Sequence, residues 1–438
     1  MADNLLDRAR QAVADAKAAG ATGAWASASR SRSSELILRD GRVEKVQSAT
    51  SRSLSLQVYA DGRYSSHQTT DLTPDRLARF VADAVAMTKA LPPDPLREMP
   101  DPALFTGRAA IDLALTDSAI DAITPADREA WALAMDAAAR TDSRVISATS
   151  SVSDDMGEGA AASSNGFEGT WSGTSAWLSA EVTVKDEGDK RPEGSWYVGS
   201  RTRAGLADPA SIGQLALRRA VERLGSKKGP TTRATMVVDP RAAGNLISRL
   251  LGSNNARSIW QGRSWWGGKL GQRALSQRLT ITDEPLLVGG FGSQLFDGEG
   301  IASKPRDIVR DGTIAAHYID TYYGKKAKLP VNGGSSSNRV VKLGDKDLTA
   351  LLKGAGSGVY VTSWLGGNAD PTTLDFSFGL RGHLIENGVP GAPVSEMNVT
   401  GNLATLFGSL VAVGNDPWRP SSTLVPTLVF EGVQFSGA

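Results

Sequence analysis

The stretch "MVVDPRAAGNLISRLLGS", residues 236–253, reads as a strand running directly into a helix. Met236, Val237 and Val238 form a short apolar run. Asp239 is placed to cap the next turn, and Pro240 suits a first helical position. Leu246, Ile247, Leu250 and Leu251 then recur at helical spacing and predict one buried face. The helix nonetheless carries no His, no Glu and no Cys. It opens the second half of the chain without offering a reactive group, and the rest of the sequence has to explain why.

Upstream of this unit, "SKKGPTTR", 226–233, reads as the boundary between an N-terminal portion, 1–225, and a C-terminal portion, 234–438. Residues 3–19 predict a first helix. A strand is expected near 22–31, followed by hairpins at 35–47 and 53–68 with Asp40-Gly41 and Asp61-Gly62 at their turns. Thr73-Pro74 opens a second helix that runs to about Lys89. Residues 1–90 therefore predict a two-layer unit of helix, hairpin sheet and helix. The Pro-rich 91–107 reads as an extended connector to a second α/β portion, 108–225. There, Thr124-Pro125 opens a helix to about Arg140, and strands are expected at 144–152, 157–163, 176–186 and 195–201. Asn165-Gly166 marks a turn, and 209–225 reads as a helix.

Beyond 234 the pattern turns to strands and Gly-rich turns. Asp297-Gly298 and Asp311-Gly312 mark turns, "VNGGSSSNR", 331–339, reads as a flexible loop, and strands are expected at 358–365, 373–388 and 423–435. A late helix is expected within 400–414. The fold class read from this order is α+β: an N-terminal α/β unit with an antiparallel hairpin sheet, and a β-rich, barrel-like C-terminal unit.

Composition narrows the chemistry. The 438 residues carry a net charge of +1, which gives no footprint for nucleic acid or an anionic membrane. There are no cysteines, so disulfides, thiolate zinc sites and thiol nucleophiles are excluded. The opening segment is polar and amphipathic, and no apolar run approaches the ~18 residues of a membrane span. A soluble, cytoplasmic protein is expected.

A zinc-peptidase helix needs two His on one face and a Glu that activates the bound water. The chain's three histidines, His67, His317 and His383, start no such pattern and fall on separate predicted strands or hairpins. No GxSxG elbow, P-loop or strand–GxGxxG–helix is present. The Gly/Ser-rich runs at 157–166, 332–338 and 354–358 read as turns and helix ends.

Several blocks carry a resemblance. These are 62–87, "NGFEGTWSGT" at 165–174, "LFDGEG" at 295–300, 307–326, "DFSFGLRGHLIENGVPGAPVSEMNVTGNL" at 375–403 with "VGND" at 413–416, and "PTLVFEGVQFSG" at 426–437. Together they resemble, in order and over nearly the whole chain, the TldD/PmbA family, also called modulator of DNA gyrase, and within it the TldE (PmbA) branch. One departure is Leu374, where the family commonly has Gly, with a turn at stake. The resemblance implies a pair of related subunits. One bears HExxxH on the helix after the boundary, plus a later Cys, as zinc ligands; the other lacks them. The pair is a metallopeptidase acting on peptides in an enclosed chamber. On that likeness Asn245 and Leu246 stand in place of His-Glu, and Leu250 in place of the second His. The expected chain is thus the metal-free subunit. It has no cofactor of its own, its zinc lies in a TldD-like partner, and a homodimer is conceivable when it is isolated.

The strand 375–384 alternates, with Phe376, Phe378, Leu380 and Leu384 on one face and Asp375, Ser377, Arg381 and His383 on the other. The polar face, with Asn332 from a loop, is nominated as chamber wall against the plain alternative of a half-solvated sheet. An extended peptide held by main-chain bonds is expected. Trp260, Trp265 and Trp266 are either interface anchors or packing over a barrel end. Asp297 and Glu299 are turn carboxylates, or oxygen ligands for a hard cation. Two rival functions stand beside the main one: a homodimeric hydrolase using His317 or His383 with a carboxylate, and a peptide-binding module without a peptidase partner.

Overall fold

The structure, a computed structural model, describes residues 4–437. Six strands of the N-terminal half form one antiparallel sheet: Gly23–Arg39, Arg42–Ala60, Arg63–Thr69, Val145–Ser163, Glu168–Val184 and Glu193–Ser200. Its spatial order is third, second, first, fourth, fifth, sixth. The sheet is thus two copies of one pattern, helix–three strands–helix, joined where Gly23–Arg39 pairs with Val145–Ser163. The strands expected separately at 22–31 and 35–39 are one strand of 17 residues, and 144–152 with 157–163 are one of 19. Serines and glycines inside them resemble loop signals, yet the cross-strand ladder satisfies every residue they contribute. Asp40 and Asp61 adopt φ of +53° and +50° ahead of their glycines, the geometry of a tight hairpin that matches strand twist.

Even-numbered residues through the main length of the first, second, fourth and fifth strands face one way, joined by the odd-numbered Ser65 and His67 of the third. Ala24, Ala26, Ala28, Leu54, Leu56 and Val58 are buried under the helices Leu5–Ala18 and Pro74–Lys89. Leu36, Leu38, Val152, Leu178 and Val182 are buried under Pro125–Ala139 and Pro209–Val221. Thr124 and Asp127 form the capping box that opens the third of these helices. One charge is drawn into this layer: Arg128 donates Nε and Nη2 to Asp154 at 2.5 and 2.9 Å. The bidentate pairing is what makes a buried cation tolerable there.

The C-terminal half holds the barrel that its pattern predicts. Thr232–Val238, Gly358–Ala369, Asp375–Glu386, Val389–Asn402 and Leu428–Ser436 pair in sequence around a ring. Asn398 and Val399 of one end strand then close on Ser436 and Phe435 of the other. Phe376, Phe378, Leu380, Met397, Val399, Phe430 and Phe435 belong to its core. Alternation along Asp375–Glu386 holds through Leu380 and then slips at a bulge. Ile385 is consequently buried, and Leu384 only partly. A smaller five-stranded sheet flanks the barrel.

The late helix expected within 400–414 is Leu403–Gly408, followed by the strand Leu410–Val413. One expectation is corrected here. The 331–339 segment is pinned rather than loose: Arg306 donates to Asn332, Gly333 and Ser335, and Ser337 donates to Asp283. Leu374 does sit at an unusual turn, with φ +66° and its side chain fully buried. No helix of the described residues is long and apolar enough to cross a membrane.

Candidate functional site

The helix that opened the question spans Pro240–Leu251, with Asp239 capping it through Arg241 N. Its apolar stripe is inside the barrel half's core, where Leu246 and Leu250 are both fully buried. Asn245 faces solvent. These three positions therefore do not meet at one site. Trp266 is also fully buried and donates Nε1 to Leu250 O at 2.9 Å, so the helix end is a packing joint. Of the other two tryptophans, Trp265 packs against the same core, while Trp260 is exposed, with Lys326 over its ring.

The histidines stay apart. His67 lies on the sheet edge, its Nε2 bonded to Ser65 Oγ at 2.7 Å. His317 is buried beside Trp266. Its Nδ1 donates to Asn254 Oδ1 at 2.5 Å, a direction fixed because Asn254 Nδ2 itself donates to Ala316 O. His383 has Nδ1 3.3 Å from Gly391 O. Burial lowers the pKa of all three. Among the described residues, no group of three or more His, Cys, Asp or Glu could hold a metal ion. A zinc site needs about four converging N, S or O donors, and the described residues do not bring such a set together.

The nominated wall residues do not converge on a cavity. Asp375 and Ser377 are exposed on the barrel's outside, Asp375 accepting from Asn402 Nδ2 at 2.9 Å. Arg381 pairs across the sheet with Ser363, and His383 with Tyr360. Asn332 is used internally: Oδ1 accepts from Arg306 and Ile319 N, and Nδ2 donates to His317 O. Asp297 and Glu299 form turns. Asp297 Oδ1 accepts from Glu299 N and Ile301 N, while Glu299 accepts from Thr321 N and Oγ1. Burial raises the pKa of both carboxyls, Glu299's to about 7.

The large concavity lies elsewhere, between the uncovered face of the six-stranded sheet and the 293–298 loop of the barrel half, and it encloses about 1250 Å³. Its floor is made of odd-numbered residues in register. Ser51, Ser31, Gly157 and Gly173 form one row across four strands; Ser53, Ser29, Gly159 and Trp171 form the next; Ser55, Ser27, Ala161 and Gly169 form the third. Ser29 and Ser53 are hydrogen-bonded at 3.0 Å, and Ser31 and Ser51 at 2.7 Å. The floor is therefore flat, hydroxylated and almost free of side-chain bulk. Two large groups lie on it. The Trp171 indole covers Gly159 so closely that a Cβ there would stand 2.1 Å from Cζ2. The Arg201 guanidinium covers Gly173, whose Cβ would stand 2.9 Å from Nη1. Only glycine lets either group lie against the sheet. Sequence reasoning missed this floor, although its signal was present: serine at every second position in 27–33 and again in 51–55 is a strand face, not a loop.

Residues 231–437 match the PmbA/TldA metallopeptidase C-terminal domain, 119–224 its central domain and 26–88 its domain 1. A putative modulator of DNA gyrase from Bacteroides thetaiotaomicron is 40% identical, with TM-score 0.96 over 100% of this chain and 99% of that one. The chain belongs to the PmbA/TldD metallopeptidase family. Metalloprotease PmbA of Escherichia coli O157:H7 is 29% identical over 94% of this chain and 92% of its own length. TldE of Thermococcus kodakarensis shares the fold, with TM-score 0.88 at 17% identity, over 98% of this chain and 100% of that one. The six-stranded sheet thus spans the family's domain 1 and central domain, and the closed barrel lies in its C-terminal domain.

Proposed function

We propose that this chain is the metal-free, TldE-like subunit of a two-subunit zinc peptidase, and that it contributes a chamber wall rather than the hydrolytic centre. The observation that carries the reading is the Pro240–Leu251 helix. Where the resemblance places the zinc ligands of a TldD-like partner, this chain has Leu246 and Leu250 sealed in the core and Asn245 turned to water. Membership in a metallopeptidase family together with a donor set unable to hold zinc fits a division of labour between related chains. The cavity over the serine floor gives such a subunit something to do, because it is large enough to receive several residues of peptide.

The third strand pairs with the second only from Leu54 on, and the sixth with the fifth only from Ala176 on, so the floor stretches 42–53 and 168–175 each keep an outer edge outside the ladder. A peptide there would meet serine hydroxyls, Trp171 and Arg201 with a strand edge beside them. Catalysis in this reading belongs to the partner, and this chain binds and orients the substrate. The test is metal analysis with peptide cleavage, done on the chain alone and after mixing with an HExxxH-bearing family member. The expected result is no cleavage by the chain alone, a stable complex on mixing, and cleavage that a chelator abolishes. Stoichiometric zinc in the lone chain together with cleavage would overturn the proposal.

A further inference from the structure

We infer that the serine-floored cavity selects the C-terminal residue of a peptide, taking its free carboxylate on Arg201 and an aromatic side chain on Trp171. The inference rests on the peptide reading above and narrows it to one class of ligand.

Trp171 is 42% exposed and lies where its strand, Glu168–Val184, is still an edge, ahead of the stretch paired with the sixth strand. One side of the indole is spent on Gly159, and Phe296 meets it edge-on with centroids 6.3 Å apart. An aromatic held flat on one side and open to a cavity on the other is a stacking platform.

Arg201 is the second half of the site. Its Nη1 donates to Thr174 O at 3.2 Å and its Nη2 to Phe291 O at 2.9 Å. Among the described residues it has no carboxylate partner, and its Nε is buried without any. A guanidinium drawn out of water without a counter-ion is an incomplete anion site. The acidic residues at the rim of the same cavity are engaged elsewhere. Glu158 pairs with Arg30 at 2.5 Å, Asp112 accepts from Ala114 N at 2.8 Å, and Asp297 accepts from Glu299 N and Ile301 N. Arg201 is thus held by two carbonyls of its own chain and is left without a counter-charge, open to a guest's anion.

Spacing joins the two halves. Trp171 and Gly173 lie two residues apart on one strand and point to the same face, roughly 7 Å from each other. A single C-terminal aromatic residue, with a hydrogen bond from the guanidinium to its carboxylate added, spans that gap. An internal peptide residue has a ring but no carboxylate, and a C-terminal alanine has the reverse; only a C-terminal aromatic residue satisfies both groups at once.

The probes are three blocked dipeptides: acetyl-Ala-Phe with a free acid, the same with a C-terminal amide, and acetyl-Ala-Ala acid. Binding is measured by calorimetry to the chain alone and to the chain mixed with a zinc-bearing relative. The free Phe acid is expected to bind about tenfold more tightly than either of the others, since each lacks one of the two contacts. Trp171→Ala should erase the Phe-over-Ala preference and keep the acid-over-amide one. Arg201→Met should do the converse. The ligand series needs no variant, so a misfolded mutant would not blunt the test. If acid and amide, or Phe and Ala, bind alike, this inference is wrong while a general peptide site survives. If none of the three binds either preparation, the peptide reading of the cavity falls with it.

Discussion

The two halves of this molecule treat a sheet's second face in opposite ways. The barrel closes on itself, and with the Pro240–Leu251 helix it fills its interior with Phe, Leu, Val and Met. The six-stranded sheet buries only one face under four helices and leaves the other largely as serine and glycine around a cavity. The difference teaches where chemistry can reside. A filled interior has no room for an unpaired polar group, whereas a face stripped of bulk can accept a guest at little cost. The helix that looked like an empty active site is the most committed packing element of the chain, and the plain serine repeat is the open surface.

The sharpest way to break that comparison is to return an imidazole to the helix. Leu250→His removes a fully buried side chain and places an unpartnered ring among Ile247, Trp266 and the barrel residues. The expected cost is about 4 kcal/mol in urea unfolding, from lost packing plus polar burial, with no zinc taken up. A variant that kept the wild-type midpoint and bound one zinc ion would show that the helix end has latent room for a metal.

Leu374 probes the barrel half in a second way. Its side chain is fully buried, while its φ of +66° favours glycine. Leu374→Ala keeps the strained backbone and loses the packing, at about 3 kcal/mol. Leu374→Gly loses the same packing but relieves about 1 kcal/mol of strain. The glycine variant should therefore unfold at higher urea than the alanine variant, the reverse of the usual order. Equal midpoints would mean that the turn relaxes around either residue.

How much of this was legible follows from what each region spends its residues on. The strand-to-helix unit at 236–253, the capped helices at Pro74 and Pro125 and the Asp-Gly hairpins were readable because each rests on local rules: caps, turns and period. The continuity of Gly23–Arg39 and of Val145–Ser163 was not. Serine and glycine in the middle of a strand carry no local preference for it, and only cross-strand pairing holds them there. The site was hidden for the same reason. Trp171 and Arg201 matter because they lie over Gly159 and Gly173 on neighbouring positions, a juxtaposition set by register. The residues nominated instead, Asp375, Ser377, Arg381, His383 and Asn332, had the right polarity, but the barrel turns the strand's polar face outward and Asn332 serves as an internal brace.

The cavity-side loop of the barrel half is expected to respond to pH. Glu299 sits two residues beyond Asp297 on the loop that roofs the cavity, and burial raises its pKa from the ordinary 4.5 to about 7. The folded state then holds this proton more tightly than the unfolded chain. Its contribution to stability is complete below about pH 4.5 and is lost as pH rises through 7. Partial exposure discounts the effect to about 1–2 kcal/mol. Glu299→Gln keeps an acceptor for Thr321 and should flatten the slope between pH 5 and 8. An unchanged slope would place the titration on another group.

The smallest effect belongs to the floor itself. Ser29, which lines the cavity, and Ser53 bond each other across the first two strands, at the cavity's border. Their hydroxyls face a space that water can enter, so removing both leaves no stranded buried donor. The double variant Ser29→Ala/Ser53→Ala should cost no more than about 0.5 kcal/mol, because the lost bond was exchanged against water in the first place. The neighbouring Ala28 points the other way and is fully buried. A hydroxyl placed there by Ala28→Ser would lack water and cost more. If instead the serine pair proved worth more than about 1.5 kcal/mol, the floor would be a structural hydrogen-bond ladder. The open face would then serve stability as the barrel's interior does, and the contrast between the halves would lose its meaning for function.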